Sequence, residues 1–308
     1  MKDEINFMEQ VIAFERVVDL LRHVDFSMPN WKIVNFSDAS KYDADAYFQM
    51  NVKKYKTRNR PEWDFIANSG KPVLVCESTL FRKNSYTIHN PDHFYYRLGW
   101  NHFLRQGNFN NVNSPPDRWN YIQKLQNIKI MPWKQKQGSV LLCLQKPGDS
   151  TLNSLYEQYG TYEDWIGYAI ETIKKYTDAS IVIRPHLKST KLKIRQFVEP
   201  GVSISQTWNQ RTLEEGGIGL EHDFANSCAV TGYNSNALVE STCAGIPTFP
   251  LSDESVVWDV SNRIENLSNP NLSIDRTQWL YDAAYMIWTV REINNGTAWQ
   301  HLRGVYFK

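Results

Sequence analysis

Apolar and polar positions follow two rhythms along the chain, and the first is helical. Ile5, Met8, Ile12, Val17, Leu20, Leu21 and Val24 recur at helical spacing, with Glu9, Glu15, Arg16 and Arg22 supplying a wet side. The pattern predicts an amphipathic helix over residues 5–24. Period-two alternation through Trp31 to Phe36, and a continuous apolar run from Val73 to Cys76 closed by Glu77, Ser78 and Thr79, predict two strands with polar carboxyl ends. From Asp92 to Leu125 aromatics, asparagines and turn formers crowd together, and Asn108 to Pro116 can hold neither a regular helix nor a central strand. A long ordered loop lining a cleft is expected there.

Further along, residues 138–145, 179–184, 228–232 and 246–250 read as strands, and residues 162–176, 236–244 and 276–294 as helices, the last ending at Gly296. Strands alternating with helices imply a parallel sheet and an α/β fold. Proline, lysine and glutamine interrupt the apolar pattern between Pro132 and Gly138. The expected organisation is a first domain over residues 1–135, a second over 136–275, and a C-terminal helix over 276–308 crossing back to the first.

A length of 308 residues suits two such domains, and 42% hydrophobic with 22% charged residues excludes disordered, collagen-like and coiled-coil classes. Thirty-four basic against 33 acidic residues leave a net charge of +1, so any polyanion site is a local patch. One basic patch is visible: Lys53, Lys54, Lys56, Arg58 and Arg60 occur without an acid, most simply as a solvated loop or helix face. Cys76, Cys143, Cys228 and Cys243 lie far apart, mostly within apolar runs, which favours buried thiols over disulfides or zinc ligands. The start Met1-Lys2-Asp3-Glu4 has no apolar signal core, and no stretch approaches the ~20 apolar residues that span a bilayer. A cytoplasmic location is the expectation.

The most informative segment runs from Ala229 to Pro247. A buried strand ends in Gly232-Tyr233, and a helix starts at Asn234 or Ser235, residues that cap orphan amides. The positive end of such a helix suits a phosphate, although a plain capped helix between strands reads the same. Arg184-Pro185-His186 adds an arginine and a histidine where another strand leaves the sheet, the edge at which ligands of open α/β sheets collect. A guanidinium fork matches phosphate oxygens, and an imidazole can donate to a leaving oxygen. With Ser235 and Glu240, the pair points toward a diphosphate.

The strand, the Asn234-Ser235-Asn236 turn, Glu240 and Ala244-Gly245-Ile246-Pro247 resemble the donor half of GT-B-type glycosyltransferases, particularly capsule-polysaccharide and sialyltransferase-like enzymes and relatives encoded by bacteriophages. Arg184-Pro185-His186 is similar to their Arg-Pro-His strand end, with Leu187 where the fuller form has a second proline. The stretches 96–100, 109–119 and 288–299 resemble the phage-encoded branch. The resemblance implies two Rossmann-like domains with parallel sheets facing a cleft, the C-terminal one holding a nucleotide-sugar donor, UDP-linked by expectation. It implies that Ser235 and Asn236 meet the diphosphate, that Glu240 meets the ribose, that Arg184 and His186 face the phosphate side of the sugar linkage, and that Tyr233 and Asn234 belong to the same donor site.

Sugar transfer needs a base on the acceptor side. Glu77, just past a strand, is the first candidate and Asp117 the second, with Asp43, Asp45 and Asp92 behind them. Arg97 and Arg118 are candidates for anchoring phosphates. With no Asp-x-Asp in a suitable context, neither metal nor cofactor is expected beyond the nucleotide sugar. For the acceptor, the phage resemblance suggests a hydroxymethylated pyrimidine in double-stranded DNA. Lys53, Lys54 and Lys56 would contact its phosphates, and Trp63, Tyr95, Tyr96 and Trp100 an extruded base, beside Asn110. A glycan acceptor, a nucleotide-sugar 2-epimerase-like isomerase and a non-catalytic binder of sugar or nucleic acid stand as alternatives.

Overall fold

The computed structural model describes residues 9–16, 21, 24–26, 28, 30–52, 61–81, 92, 94–189, 192–209 and 219–307. The chain divides into two units, residues 1–122 with 277–308, and residues 123–276. In chain order the strands are β1 (Val11–Phe14), β2 (Trp31–Val34), β3 (Ala46–Met50), β4 (Val73–Ser78), β5 (Tyr95–Trp100), β6 (Ser139–Cys143), β7 (Ile181–Arg184), β8 (Val202–Ile204), β9 (Ser227–Gly232), β10 (Thr248–Pro250) and β11 (Ile287–Thr289). The α-helices are α1 (Pro61–Ser69), α2 (Asp117–Leu125), α3 (Asn153–Tyr159), α4 (Tyr162–Tyr176), α5 (Gly219–Ala225), α6 (Asn236–Cys243), α7 (Thr277–Ala284), α8 (Val290–Asn294) and α9 (Thr297–Arg303).

The first unit is a six-stranded sheet in the order β11-β5-β4-β3-β1-β2. Strands β1 to β4 are parallel, whereas β5 runs antiparallel to both β4 and β11. Residues 11–14, expected within a helix, form β1 between β2 and β3, and all four are buried. A short strand covered on both faces is apolar at every position, so helical spacing matches it by accident. The expected loop over 92–125 contains the fully buried β5 and the helix α2, leaving residues 101–116 without regular structure. Left-handed φ angles at Asn101, Asn110 and Asn113 fold that remainder.

The single helix expected over 276–294 is instead α7, the edge strand β11 and α8. The Ile287-Trp288-Thr289 triplet favours an extended edge, and Thr289 then opens α8 through a capping box with Glu292. Helix α9 closes the core from the far end of the sequence. Trp299 packs 5.7 Å from Trp100 and 6.0 Å from Trp31 between ring centroids.

In the second unit the five strands are all parallel, in the order β10-β9-β6-β7-β8. Helix α4 shows why this half follows its periodicity. Thr161 caps it by accepting from the Asp164 amide at 3.1 Å, Glu163 and Asp164 occupy its first turn, and Lys174 and Lys175 its last. Trp165, Ile166, Ala169, Ile170 and Ile173 form its buried stripe. Each large apolar side chain there contributes about 1.5–3 kcal/mol by leaving water.

The division falls at 122/123 rather than 135/136, because residues 131–134 lie against the second unit's helix-to-strand turn between α6 and β10. The Met131 amide donates to the Cys243 carbonyl and the Lys134 amide to the Gly245 carbonyl, both at 2.9 Å. Gly245 has a φ of +72°, and a Cβ there would lie 2.2 Å from the Pro132 carbonyl oxygen, so glycine alone fits. All four cysteines are free thiols. Among the described residues, no helix is long and apolar enough to cross a membrane and no cluster of His, Cys, Asp and Glu could hold a metal ion.

Candidate functional site

Strand order locates the first candidate site. In the second unit the chain lays down β6, β7 and β8 in one direction, then returns to place β9 on the other side of β6. The reversal makes a topological switch point between β6 and β9, and the crevice at its carboxyl edge is where open α/β sheets take ligands. Register aligns Cys143, the end of β6, with Arg184 on one side and Gly232 on the other. Arg184 therefore stands two strands from the Gly232 turn, about 10 Å by strand spacing. A Cβ on Gly232 would sit 2.7 Å from the Cys143 carbonyl oxygen, and the tight approach brings the start of α6 directly over the switch point.

The turn itself is held by an amide lock absent from the sequence expectations. Gln145 Nε2 donates to Asn234 Oδ1 at 2.7 Å, and the Asn234 amide donates back to Gln145 Oε1 at 3.1 Å. Asn234 Nδ2 also donates to the Thr151 carbonyl at 2.8 Å. Asn234 is thus buried and shapes the turn from within. Ser235 caps α6, its hydroxyl accepting from the Ala237 amide at 3.3 Å, and Asn236 is the first helical residue. Tyr233 is buried edge-on against Trp165 at 5.8 Å, and burial pushes its phenol up to about 12. Glu240 is half-buried on α6. Its charge reaches Cys143, whose thiol is pushed up mainly by burial, with Asp223 and Glu240 adding and Arg184 opposing.

Arg184 is already partnered. Its Nη1 donates to Asp223, and to Thr207 Oγ1 at 3.1 Å, while Ser205 Oγ donates to Asp223 Oδ2 at 2.7 Å. Both side chains of the ion pair are almost covered, at 12% and 7% exposure. The guanidinium that the sequence offers to a phosphate is therefore neutralised from the β8 side. His186, two residues past β7, accepts at Nδ1 from the Lys188 amide at 3.1 Å. Gln145, Ser205, Thr207 and Asp223 escaped the sequence expectations. Gln145 carried a usable signal, standing at the end of an expected strand, whereas Asp223 lies 39 residues from Arg184 with nothing local to mark the pair.

In the first unit Glu77 occupies the fifth position of β4 and pairs in register with Arg97 on β5, which puts the two side chains on one face of the sheet. Glu77 Oε1 accepts from the Ser78 amide at 2.6 Å. Arg97 is 2% exposed and lies 5.5 Å from the Phe103 ring. Together with burial, which acts first, its charge lowers His102 to about 4.

Trp100, expected as an acceptor platform, is fully buried and donates to the Leu302 carbonyl at 2.8 Å. A ring covered by Trp299, Tyr306 and Phe307 belongs to the core and offers no face to a base. Tyr95 and Tyr96 are buried too. Asn110 donates through Nδ2 to the His301 carbonyl at 2.8 Å, fastening the 101–116 segment to α9.

Asp117 opens α2 and is exposed, whereas Arg118 is neither a surface group nor a partner of Asp117. Its fork grips Glu292 through both nitrogens, at 2.5 and 3.0 Å, its Nε donates to the Ala284 carbonyl at 2.8 Å, and its plane lies 4.0 Å from the Trp288 ring centroid. Burial alone would raise Glu292; Arg118, with the Thr289 amide and hydroxyl, outweighs it and holds the carboxyl below its usual range. Arg118 so covers the open edge of β11. Lys53, Lys54 and Lys56 lie outside the described residues.

No protein-family model matches the chain, and no curated protein matches it either. Solved structures do. The beta Kdo 2,4 transferase of Thermosulfurimonas dismutans KpsC covers 92% of this chain and 93% of its own, with a TM-score of 0.55 at 13% identity. The fold is of the GT-B type. The beta Kdo 2,7 transferase of the same KpsC covers 95% and 100%, with a TM-score of 0.48 at 12% identity. A UDP-GlcNAc 2-epimerase of Methanocaldococcus jannaschii, solved with UDP-GlcNAc and UDP, covers 88% and 97%, with a TM-score of 0.33 at 11% identity.

Proposed function

We propose that the protein is a glycosyltransferase that moves a sugar from a nucleotide donor, UDP-linked by preference, to an acceptor hydroxyl. The observation that carries this reading is the second unit's switch point, where a capped helix starts over the carboxyl edge of an all-parallel sheet. A GT-B-type fold supports it. The diphosphate lies at the start of α6 near Ser235 and Asn236, and Glu240, one turn on, takes the ribose hydroxyls. With Arg184 neutralised by Asp223, the helix start and His186 supply most of the compensation for the leaving diphosphate. Glu77 acts as base on the acceptor, a role worth about a hundred- to ten-thousand-fold in rate. The acceptor we favour is a hydroxymethylated pyrimidine in DNA, supported by the basic run Lys53 to Arg60 in the sequence.

Titration of UDP by calorimetry tests the donor half. Ser235→Asp, which sets a carboxylate against the diphosphate, and Glu240→Ala should each weaken binding about tenfold or more. UDP that fails to bind, or binds both variants as well as the wild type, overturns the donor site. Nucleotide release from UDP-sugars that requires hydroxymethylated DNA supports the acceptor. Release that requires a glycan, or epimerisation with no acceptor, refutes it.

A further inference from the structure

We propose that the first unit carries a binding site for a neutral saccharide ring, in a cleft between the start of α2, strand β11 and one face of α9. The inference stands on the first unit alone and does not depend on the donor site of the second. The cleft measures 480 Å³, within the range of small-molecule sites. Its walls are aromatic. Tyr121 follows Asp117 by four residues, so both share a face of α2, and Tyr121 is 59% exposed. On α9, the His301 ring lies 5.0 Å from Tyr285 and 5.1 Å from Trp288. An exposed tyrosine that lines a concave wall presents a negative ring face, to which the polarised C–H groups of a pyranose are complementary.

The polar groups fit the same ligand. Asp117 sits in the first turn of α2, and its Oδ1 accepts from Tyr285 at a long 3.4 Å. A carboxylate there accepts from two neighbouring hydroxyls of a ring, and Gln300 adds an amide from α9. Electrostatics separates the candidates. The charge of Arg118 is cancelled by Glu292, and burial, with Arg118 behind it, pushes the His301 ring down and so disfavours its charged form. The described lining residues therefore show a ligand one uncompensated charge, the negative charge of Asp117. Phosphates and carboxylated sugars are repelled by that field, while a neutral polyhydroxylated ring uses it.

The test uses the full chain without nucleotide, reading saturation-transfer NMR and calorimetry with methyl α- and β-glucopyranoside, methyl β-galactopyranoside, maltose and cellobiose. At least one should bind in the millimolar range, about −4 kcal/mol by the standard conversion. Asp117→Asn should weaken it about tenfold and Tyr121→Ala about fivefold, while Tyr168→Ala, an exposed tyrosine of the second unit, leaves it unchanged. Methyl glucuronide and glucose 6-phosphate should bind about tenfold more weakly than the neutral glucoside. Absence of any signal from the neutral glycosides at roughly 50 mM overturns the proposal. So does binding that ignores both variants, or tighter binding of the charged sugars. Tyr121 is exposed enough that its replacement leaves folding intact, which keeps a loss of binding interpretable.

Discussion

Asp223→Ala strips the carboxylate from a guanidinium that has almost no access to water. In the folded second unit Arg184 is 12% exposed and Asp223 7%, and Ser205 and Thr207 close the remaining sides. Breaking a buried pair by removing one partner costs about 3–5 kcal/mol, because the surviving charge stays desolvated. At about 2–4 °C per kcal/mol for a domain of this size, the second unit's transition should fall by about 6–20 °C. Differential scanning calorimetry at neutral pH reads this directly. The double variant Arg184→Met with Asp223→Leu, which replaces both charges by apolar side chains of similar volume, should recover most of the loss. A single variant that melts within about 2 °C of the wild type, or a double variant no better than the single one, would refute the assignment of Arg184 to a desolvated pair.

Three other outcomes follow from geometry already described. Gly232→Ala places a Cβ 2.7 Å from the Cys143 carbonyl oxygen, and should cost about 1–3 kcal/mol in urea unfolding together with loss of UDP binding. Glu292→Gln removes the carboxylate gripped by Arg118 and should cost about 2–4 kcal/mol. Because the folded carboxyl lies below its usual range, the wild type's advantage over this variant is complete above that range and vanishes as pH falls through the lowered value. His102, lowered to about 4 from 6.5, accepts at Nδ1 from the Leu104 amide and is neutral when folded. Stability should be full above pH 6.5 and fall by about 3 kcal/mol between there and pH 4, a slope that His102→Gln flattens in pH-dependent unfolding.

The second unit was legible because its strands and helices alternate and each carries a single period. Ile181 to Arg184, Cys228 to Gly232 and Tyr162 to Tyr176 announce themselves within a dozen residues. The first unit was not. Its β5 lies between β4 and β11, the latter contributed from about 190 residues further along, so Tyr95 and Trp100 read locally as loop aromatics. The same reason hides the partners of its charged groups. Arg118 meets Glu292 across 174 residues, and nothing near Arg118 distinguishes that contact from a surface charge. Where local chemistry sufficed, as at the Ser235 cap and the Gly232 turn, the residues were found; the Gln145 amide that braces them depends on two strand ends meeting.

That Trp31 and Trp100 are covered by Trp299, with Leu302 accepting the indole proton, carries a consequence for biosynthesis. During translation the first unit waits with an open core while the second, continuous over 123–276, emerges whole and can complete first. The half made earliest is thus the half finished last. Until α9 has been made, Trp31 and Trp100 lack the Trp299 ring that packs against both.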